Sequence, residues 1–429
     1  MSWRGPRSVQ EPSGPDGGAG PRVVVLTRVY PNAAQPTFGV FVQERMARVA
    51  RHLPLVVVAP VPWFPGEGLI RYWRPWFRPR VPRHEQREGI DIHHPRFLCI
   101  PGVGKSLDGL FQALGVLPTL RRLRRAGQLD LIDAHFIYPD GVAAWLAARW
   151  LGCPYTITLR GTILRISRTR LARYQARRAL RGAARVFSVS DSLRQVALDM
   201  EPDRVPVEVV PNGINLDLFY PEDRWASRQA LGIPPDARVL ITVGTLNERK
   251  GFHRVIEQLP QMLQEQPDLY YLAVGGGSPD GNDERRLRAL AEQKGVADRV
   301  VFTGPVPPER LRYCYSAADL FVLPTRFEGW ANVFLEAFAC GLPAVATDVG
   351  GNREVICSDT LGSLVPFGDG PALRRAILDS LAQEWDYAAI LDYARRNSWA
   401  ERIPALVARL QQAAAVGCDG AGRASREGA

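Results

Sequence analysis

The sequence predicts an α/β fold in which two doubly wound, Rossmann-like domains face a central cleft. Two observations support this prediction. The 429 residues exceed what one hydrophobic core usually serves, so two domains are expected. In both halves, short apolar runs alternate with helical stretches, which is the pattern of βαβ units around a parallel sheet.

The apolar runs of the first half are predicted as buried strands, with helices over 41–51 and 141–151. These strands are 23–27, 55–59, 131–134, 155–159 and 185–189. The second half repeats the pattern in 239–243, 271–274, 300–302, 320–323 and 344–346. Turn-forming residues over 205–221 indicate a hinge between the halves. Ligands of such sheets bind beyond the carboxyl ends of the strands, so the cleft is the expected site.

Composition places the chain among globular proteins and shows an uneven charge. Hydrophobic residues make up 46% and charged residues 23%, and no apolar run reaches the length of a membrane-spanning helix. The six cysteines form no CxxC pair, which indicates free thiols in a reducing cytosol. Residues 1–200 contain 30 Lys and Arg against 13 Asp and Glu. The first half is therefore expected to bind an anionic partner.

The segment 318–354 carries the most specific chemical signal. An apolar strand leads into a loop with Glu328 and Gly329, and a helix from about residue 331 carries Glu336. Gly341 and Pro343 end that helix before the next buried strand. Backbone N–H groups at a helix N-terminus suit a phosphate, and carboxylates accept hydrogen bonds from sugar hydroxyls. Together these features predict a site for a nucleotide-sugar.

This block resembles the Glu-x7-Glu signature of retaining glycosyltransferases of family 4, which have the GT-B fold. The resemblance covers residues 22–411 and is greatest to enzymes that build bacterial surface polysaccharides. It implies an acceptor domain over 21–208, a donor domain over 209–395, and a helix over 396–412 that crosses back to the first domain. A Gly/Pro-rich lead over 1–20 and a tail over 413–429 are expected to be disordered.

The resemblance implies that Lys250 neutralises the donor diphosphate as the glycosidic bond breaks, which makes it a catalytic residue. Gly244 and Arg249 are expected to bind the donor beside it, together with Gly276 in the glycine turn 275–277. Thr245 departs from the family, in which an arginine usually follows the glycine.

Within the Glu-x7-Glu block, the resemblance implies that Glu328 contacts the hydroxyls of the donor hexose and belongs to the catalytic set. Glu336 is expected to accept hydrogen bonds from the ribose. Donor-binding backbone groups are expected at Gly329, Trp330, Ala331, Asn332 and Val333.

In the first domain, the resemblance implies that the loop at Gly39 approaches the diphosphate and that His135 contacts the donor sugar as a catalytic residue. Arg160 stands where many members have histidine before a glycine, and Ile163 replaces an aspartate. Arg160 is expected to bind an anionic acceptor or the donor sugar.

Residues 63–83 interleave arginines with aromatic residues, including Trp73 and Trp76. Their prolines predict a loop, and this composition suits an anionic membrane surface, although it would also stack nucleic-acid bases. A basic helix with a solvated arginine face is predicted over 165–185.

These features predict a metal-independent, retaining hexosyltransferase without a cofactor, which uses a UDP- or GDP-sugar as cosubstrate. The expected acceptor is a hydroxyl of a lipid-linked molecule or a polysaccharide, at the inner face of the cytoplasmic membrane. No nucleic-acid partner is expected. Two alternatives remain open: a nucleotide-sugar 2-epimerase with the same fold, and a non-catalytic protein that binds nucleotide-sugars or nucleic acid.

Overall fold

The computed structural model describes residues 20–73, 77, 80–100, 104–166, 170–201, 206–277 and 281–424. Two large sheets organise these residues. The first sheet has eight strands in the order β10-β9-β8-β7-β1-β2-β5-β4, and only β4 runs antiparallel to its neighbour. The strands of this half, with β3 and β6 forming a separate ribbon, are β1 Val23–Leu26, β2 Leu55–Val58, β3 Val61–Trp63, β4 His84–Arg87, β5 Ile90–His93, β6 Arg96–Leu98, β7 Leu131–His135, β8 Tyr155–Leu159, β9 Arg185–Ser188 and β10 Val207–Val209.

The second sheet is wholly parallel, with six strands in the order β13-β12-β11-β14-β15-β16. Its strands are β11 Arg238–Val243, β12 Leu269–Val274, β13 Val300–Gly304, β14 Leu320–Leu323, β15 Ala344–Thr347 and β16 Gly362–Val365. The two-domain α/β prediction is confirmed by these sheets. The first sheet ends in sequence at Val209 and the second begins at Arg238.

Helices connect the strands in both halves. They are α1 Val40–Val49, α2 Glu67–Trp73, α3 Asp108–Arg125, α4 Val142–Leu151, α5 Ile163–Ile166, α6 Arg170–Gly182, α7 Asp191–Met200, α8 Arg224–Ala230, α9 Phe252–Glu265, α10 Glu284–Gln293, α11 Pro308–Ala317, α12 Asn332–Ala339, α13 Asn352–Val355, α14 Gly370–Ala382, α15 Tyr387–Arg396 and α16 Trp399–Ala424. Within the described part of the chain, no helix combines the length and apolar character needed to cross a membrane.

Each sheet is covered on both faces, which explains why most positions of its central strands are apolar. In β1, Val24 and Leu26 belong to one buried cluster, whereas Val23 and Val25 belong to another on the opposite face. The alternation follows from the two-residue period of a strand.

The last helix, α16, crosses from the second sheet to the first. Its residues Ile403, Leu406 and Leu410 are buried in the same cluster as Val23 and Val25. We therefore call the first sheet, its helices and α16 the first lobe, and the second sheet with α8–α15 the second lobe. The crossover was predicted to end at 412, but α16 continues to Ala424. Ala413 and Ala414 remain buried in the cluster, so packing extends the helix past the predicted end.

The prediction of a loop over 63–83 needs correction, because α2 lies within it. Prolines at positions 65 and 75 flank this helix, and its own seven residues contain none. The prolines that suggested a loop therefore bound a short helix. The predicted basic helix appears as α6.

Truncation of Leu410 tests the contribution of the crossover helix. Because this side chain is fully buried, Leu410→Ala should lower the free energy of unfolding of the first lobe by about 3 kcal/mol. Gln411→Ala, at an exposed position on the same helix, serves as the control. Equal urea midpoints for the two variants would show that α16 does not stabilise this lobe.

Candidate functional site

The predicted site residues gather where the carboxyl ends of the two sheets face each other. Gly161 follows β8, and Gly329 follows β14. A Cβ atom added to Gly329 would lie 3.5 Å from the Gly161 backbone, so the two loops are in close contact. Glu354 of the second lobe also crosses this boundary, since its carboxylate accepts from the backbone N–H groups of Asp191 and Ser192 at the start of α7.

Glu328 is held in the second lobe by two cations. Its Oε1 accepts from Lys250 Nζ at 2.6 Å and from Arg249 Nη1 at 2.9 Å. Its backbone oxygen accepts from the Gly351 N–H group, and a Cβ atom at Gly350 would lie 1.9 Å from that oxygen. Gly350 also has a positive φ of 53°, so glycine is required for this close approach. The structure thus brings together three predicted site residues.

Glycines place Lys250 in this corner. The aliphatic carbons of Lys250 lie 3.3 Å from where a Cβ atom of Gly244 would sit, so glycine makes room for the lysine. The glycine turn after β12 packs on the same loop, because Leu246 N–H donates to Gly276 O at 2.9 Å. Asn247 Oδ1 accepts from Lys250 N–H at 3.2 Å and fixes the short turn that carries the lysine. The predicted positions Gly244, Gly276 and Lys250 therefore lie together.

Glu336 lies on α12 and is partly buried. Tyr315 Oη donates to its Oε2 at 2.8 Å. Desolvation raises the pKa of Glu336 to about 7; Tyr315 and Lys250 lower it, and Glu44 of the first lobe raises it. The carboxyl group therefore changes charge near neutral pH.

The first turn of α12 begins at Asn332, directly after Trp330 and Ala331. No side chain caps this turn within the described structure, so backbone N–H groups over 330–333 remain available to a ligand. Asn332 Oδ1 accepts from Asn212 Nδ2 at 3.0 Å, which ties the turn to the segment between the sheets. The helix start predicted from sequence is thus found, with its dipole at the lobe boundary.

His135 ends β7 and is fully buried. Its Nε2 lies 3.2 Å from Asp133 Oδ2 and its Nδ1 lies 3.3 Å from Arg160 Nη2. Burial lowers the pKa of His135 to about 4, so the imidazole is neutral at neutral pH. A neutral ring donates through Nε2 to the aspartate and accepts at Nδ1 from the arginine. Both ring nitrogens thus have protein partners, and the predicted contact of His135 with a donor sugar stays a prediction.

Three further residues that were predicted to bind substrate or membrane are Gly39, Trp73 and Trp76. Gly39 precedes α1 with φ 82°, and a Cβ atom there would lie 2.6 Å from the Val29 backbone, so packing alone accounts for this glycine. Its predicted approach to the diphosphate stays a prediction. Trp73 ends α2 and is 82% exposed, whereas Trp76 lies outside the described residues.

Comparison with known proteins identifies the family. The family model described as "Glycosyl transferases group 1" matches residues 223–398, and that described as "Glycosyltransferase Family 4" matches residues 100–218.

The chain belongs to glycosyltransferase family 4.

Relatives support this assignment over most of the chain. A Bacillus subtilis protein named as the teichuronic acid biosynthesis glycosyltransferase TuaC is 31% identical over 338 residues, which is 77% of this chain and 82% of the relative. The D-inositol 3-phosphate glycosyltransferase of Geodermatophilus obscurus is 33% identical over 349 residues, 77% of either chain. The protein is therefore a glycosyltransferase that acts on nucleotide-sugars, which favours transfer over the epimerase and the non-catalytic alternatives.

Solved structures confirm the GT-B fold. Sucrose-phosphate synthase from Thermosynechococcus elongatus superposes with a TM-score of 0.69 at 22% identity and covers 95% of this chain and 98% of its own. HepE from Anabaena, in complex with UDP and glucose, gives a TM-score of 0.63 at 18% identity, with 94% and 99% covered.

Sequence reasoning about this family 4 glycosyltransferase missed several residues beside the site. Asp133 carried a usable signal, because residues two apart on a strand share a face and His135 follows it at that spacing. Asn212 was interpreted only as part of a hinge turn. Tyr315 gave no signal, since it reaches Glu336 from a helix 21 residues earlier.

The raised pKa of Glu336 predicts a pH dependence of donor binding. If its carboxylate accepts from the ribose hydroxyls, affinity should rise as the pH passes upward through about 7. UDP-glucose is a suitable probe, because its diphosphate has no group that titrates near neutral pH. Calorimetric Kd values between pH 6 and 8 should follow this trend, and Glu336→Gln should flatten it. An unchanged slope in this variant would remove the ribose role.

Proposed function

We propose that this glycosyltransferase moves a hexose from a UDP- or GDP-sugar to a hydroxyl of a lipid-linked or polysaccharide acceptor, with retention and without a metal. The observation that carries the proposal is the contact of Glu328 with Lys250 and Arg249 beside the uncapped start of α12. Two cations against one carboxylate leave a net positive charge, which suits a diphosphate.

The same contact suggests how the donor enters. A diphosphate that attracts Lys250 Nζ would compete with Glu328 Oε1, which then becomes free to accept from a hexose hydroxyl. Binding the donor thus exchanges one ion pair for two substrate contacts. The charge-assisted hydrogen bonds that are lost and gained are of similar strength, so the exchange need not be costly.

In the reaction, the bond between C1 of the sugar and the diphosphate oxygen breaks, and the acceptor hydroxyl forms the new bond to C1 on the same face. The hydroxyl proton goes to the departing diphosphate. Lys250, Arg249 and the N-terminus of α12 stabilise the negative charge on the leaving group. Protein cations thus fill the role that a divalent ion fills elsewhere, which is our reason for proposing metal independence.

Titration with UDP- and GDP-sugars tests the donor class and the role of Lys250 together. One nucleotide class should raise the melting temperature by mass action, and turnover should persist in EDTA and give a product with the donor's anomeric configuration. Lys250→Met should lower kcat by about 100-fold or more because leaving-group stabilisation is lost. Lys294→Met, at an exposed position, is the control. Inversion, loss of activity in EDTA, or full turnover in Lys250→Met would each refute the corresponding part of the proposal.

We further propose that the protein docks on the inner face of the cytoplasmic membrane through an apolar patch on α2. The patch consists of Leu69, Tyr72 and Trp73, which are 75%, 82% and 82% exposed. Three large apolar side chains facing solvent on one short helix suit the membrane–water interface. The net positive charge of residues 1–200 favours binding to anionic lipids. A lipid-linked acceptor would lie at the same membrane surface. We propose that the protein does not bind nucleic acid.

Vesicle flotation tests the patch. The protein should float with vesicles that contain phosphatidylglycerol, and Leu69→Ser combined with Trp73→Ser should reduce the bound fraction about tenfold, because apolar burial is lost. Trp225→Ser, which removes an exposed tryptophan from the second lobe, is the control. Equal flotation of patch variant and control would rule out docking through α2.

A further inference from the structure

Arg160 is a buried guanidinium group without an anionic partner. It is only 4% exposed, and none of the described carboxylates forms an ion pair with it. Its Nη1 lies 3.4 Å from Asn212 Oδ1, its Nη2 lies 3.3 Å from His135 Nδ1, and its Nε has no partner. The guanidinium carbon lies 5.0 Å from the ring centre of Phe41. A guanidinium has five N–H donors, so two long bonds to neutral acceptors satisfy it poorly.

A second buried arginine near Arg160 increases the net positive charge of this region. Arg45 is also buried, donates to Val210 O at 3.2 Å and has an Nη2 without a partner. Asp133 attracts both arginines, but its oxygens already accept from Thr156 and His135. Burial lowers the pKa of Arg160, and repulsion from Arg45 lowers it further. A buried charge is costly unless it is paired, so this arrangement is suited to an added anion.

The position of Arg160 places that anion at the lobe boundary. Gly161, the next residue, lies beside Gly329 of the opposite lobe, since a Cβ atom added to Gly329 would lie 3.5 Å from the Gly161 backbone. Arg160 also contacts Asn212, which bonds to Asn332 in the first turn of α12. The guanidinium is therefore connected to the start of α12, and it belongs to the lobe opposite the one that carries Lys250 and Arg249.

We propose that Arg160 binds an oxyanion of the substrate other than the donor diphosphate: a carboxylate or phosphate group on the donor sugar or on the acceptor. This inference rests on the proposed function and deepens it, because one of the two substrates would carry a negative group in addition to the nucleotide diphosphate. A guanidinium presents two parallel N–H donors to such a group, a geometry that a lysine does not offer. The unpartnered Nε and the adjacent Nη group supply that pair.

Paired donors of one nucleotide test this assignment. The pairs are UDP-glucuronate with UDP-glucose and GDP-mannuronate with GDP-mannose. If the donor carries the oxyanion, the wild-type protein should bind the uronate about tenfold more tightly than its neutral partner. Arg160→Gln should abolish that preference, because it should weaken the binding of the uronate about tenfold more than the binding of the neutral donor. Arg160→Lys should keep part of the preference, because the charge remains without the planar fork.

A second arm covers the acceptor. With a neutral donor at saturation, inorganic phosphate should bind the wild-type protein and not Arg160→Gln if the acceptor carries the oxyanion. Arg121→Gln, at an exposed position on α3, is the matched control in both arms. Melting temperatures without ligand confirm that the variants are folded.

Three outcomes would overturn the proposal: no uronate preference together with no phosphate binding, equal responses in Arg160→Gln and the wild-type protein, or an equal loss of affinity for all nucleotides in Arg160→Gln. The last result would assign the arginine to the diphosphate. Failure of the wild-type protein to bind any nucleotide-sugar would instead contradict the proposed donor class. Phosphate binding measured without a donor, compared between the wild-type protein and Arg160→Gln, would still report on Arg160.

Discussion

The contact of Glu328 with Lys250 and Arg249 is the constraint around which the donor side of the site is arranged. The carboxylate lies 78 residues from Lys250 and 79 from Arg249 in the chain. Because β11 and β14 are neighbours, the loops at their carboxyl ends bring these groups together. Glu328 has a side chain that is only 9% exposed, and a carboxylate that buried needs its partners. The glycines at 244, 276 and 350 provide the close backbone approaches on which this corner depends.

A buried polar chain links this corner to the other lobe. It runs from Asp133 through His135, Arg160 and Asn212 to Asn332 at the start of α12. Its members come from a strand, a strand end, the segment between the sheets and a helix. Hydrogen bonds of this kind fix orientation, because each group has a directed partner on either side. The helix start that faces the donor is therefore positioned partly by the lobe that we expect to hold the acceptor.

The alternating architecture could be predicted from local patterns of the sequence. The grouping of Glu328 with Lys250 and Arg249 joins residues far apart in the chain and was predicted only through the resemblance to family 4. Most positions of the buried parallel strands are apolar, and glycines follow β11 and β12 directly. The contacts of Glu336 with Tyr315 and of Arg160 with Asn212 join residues far apart in sequence, so no local pattern could reveal them. Helix α2 was missed because its flanking prolines dominated the composition of that segment.

The crossover helix has a consequence for biosynthesis. The face of β1 that carries Val23 and Val25 shares its buried cluster with side chains of α1 and with side chains from Ile403 to Ala414, which leave the ribosome nearly 400 residues later. A nascent chain therefore lacks part of this apolar cluster while the whole of the second lobe is being translated. Such surfaces recruit chaperones or self-associate. Final closure of the core of the first lobe thus follows translation of the second lobe.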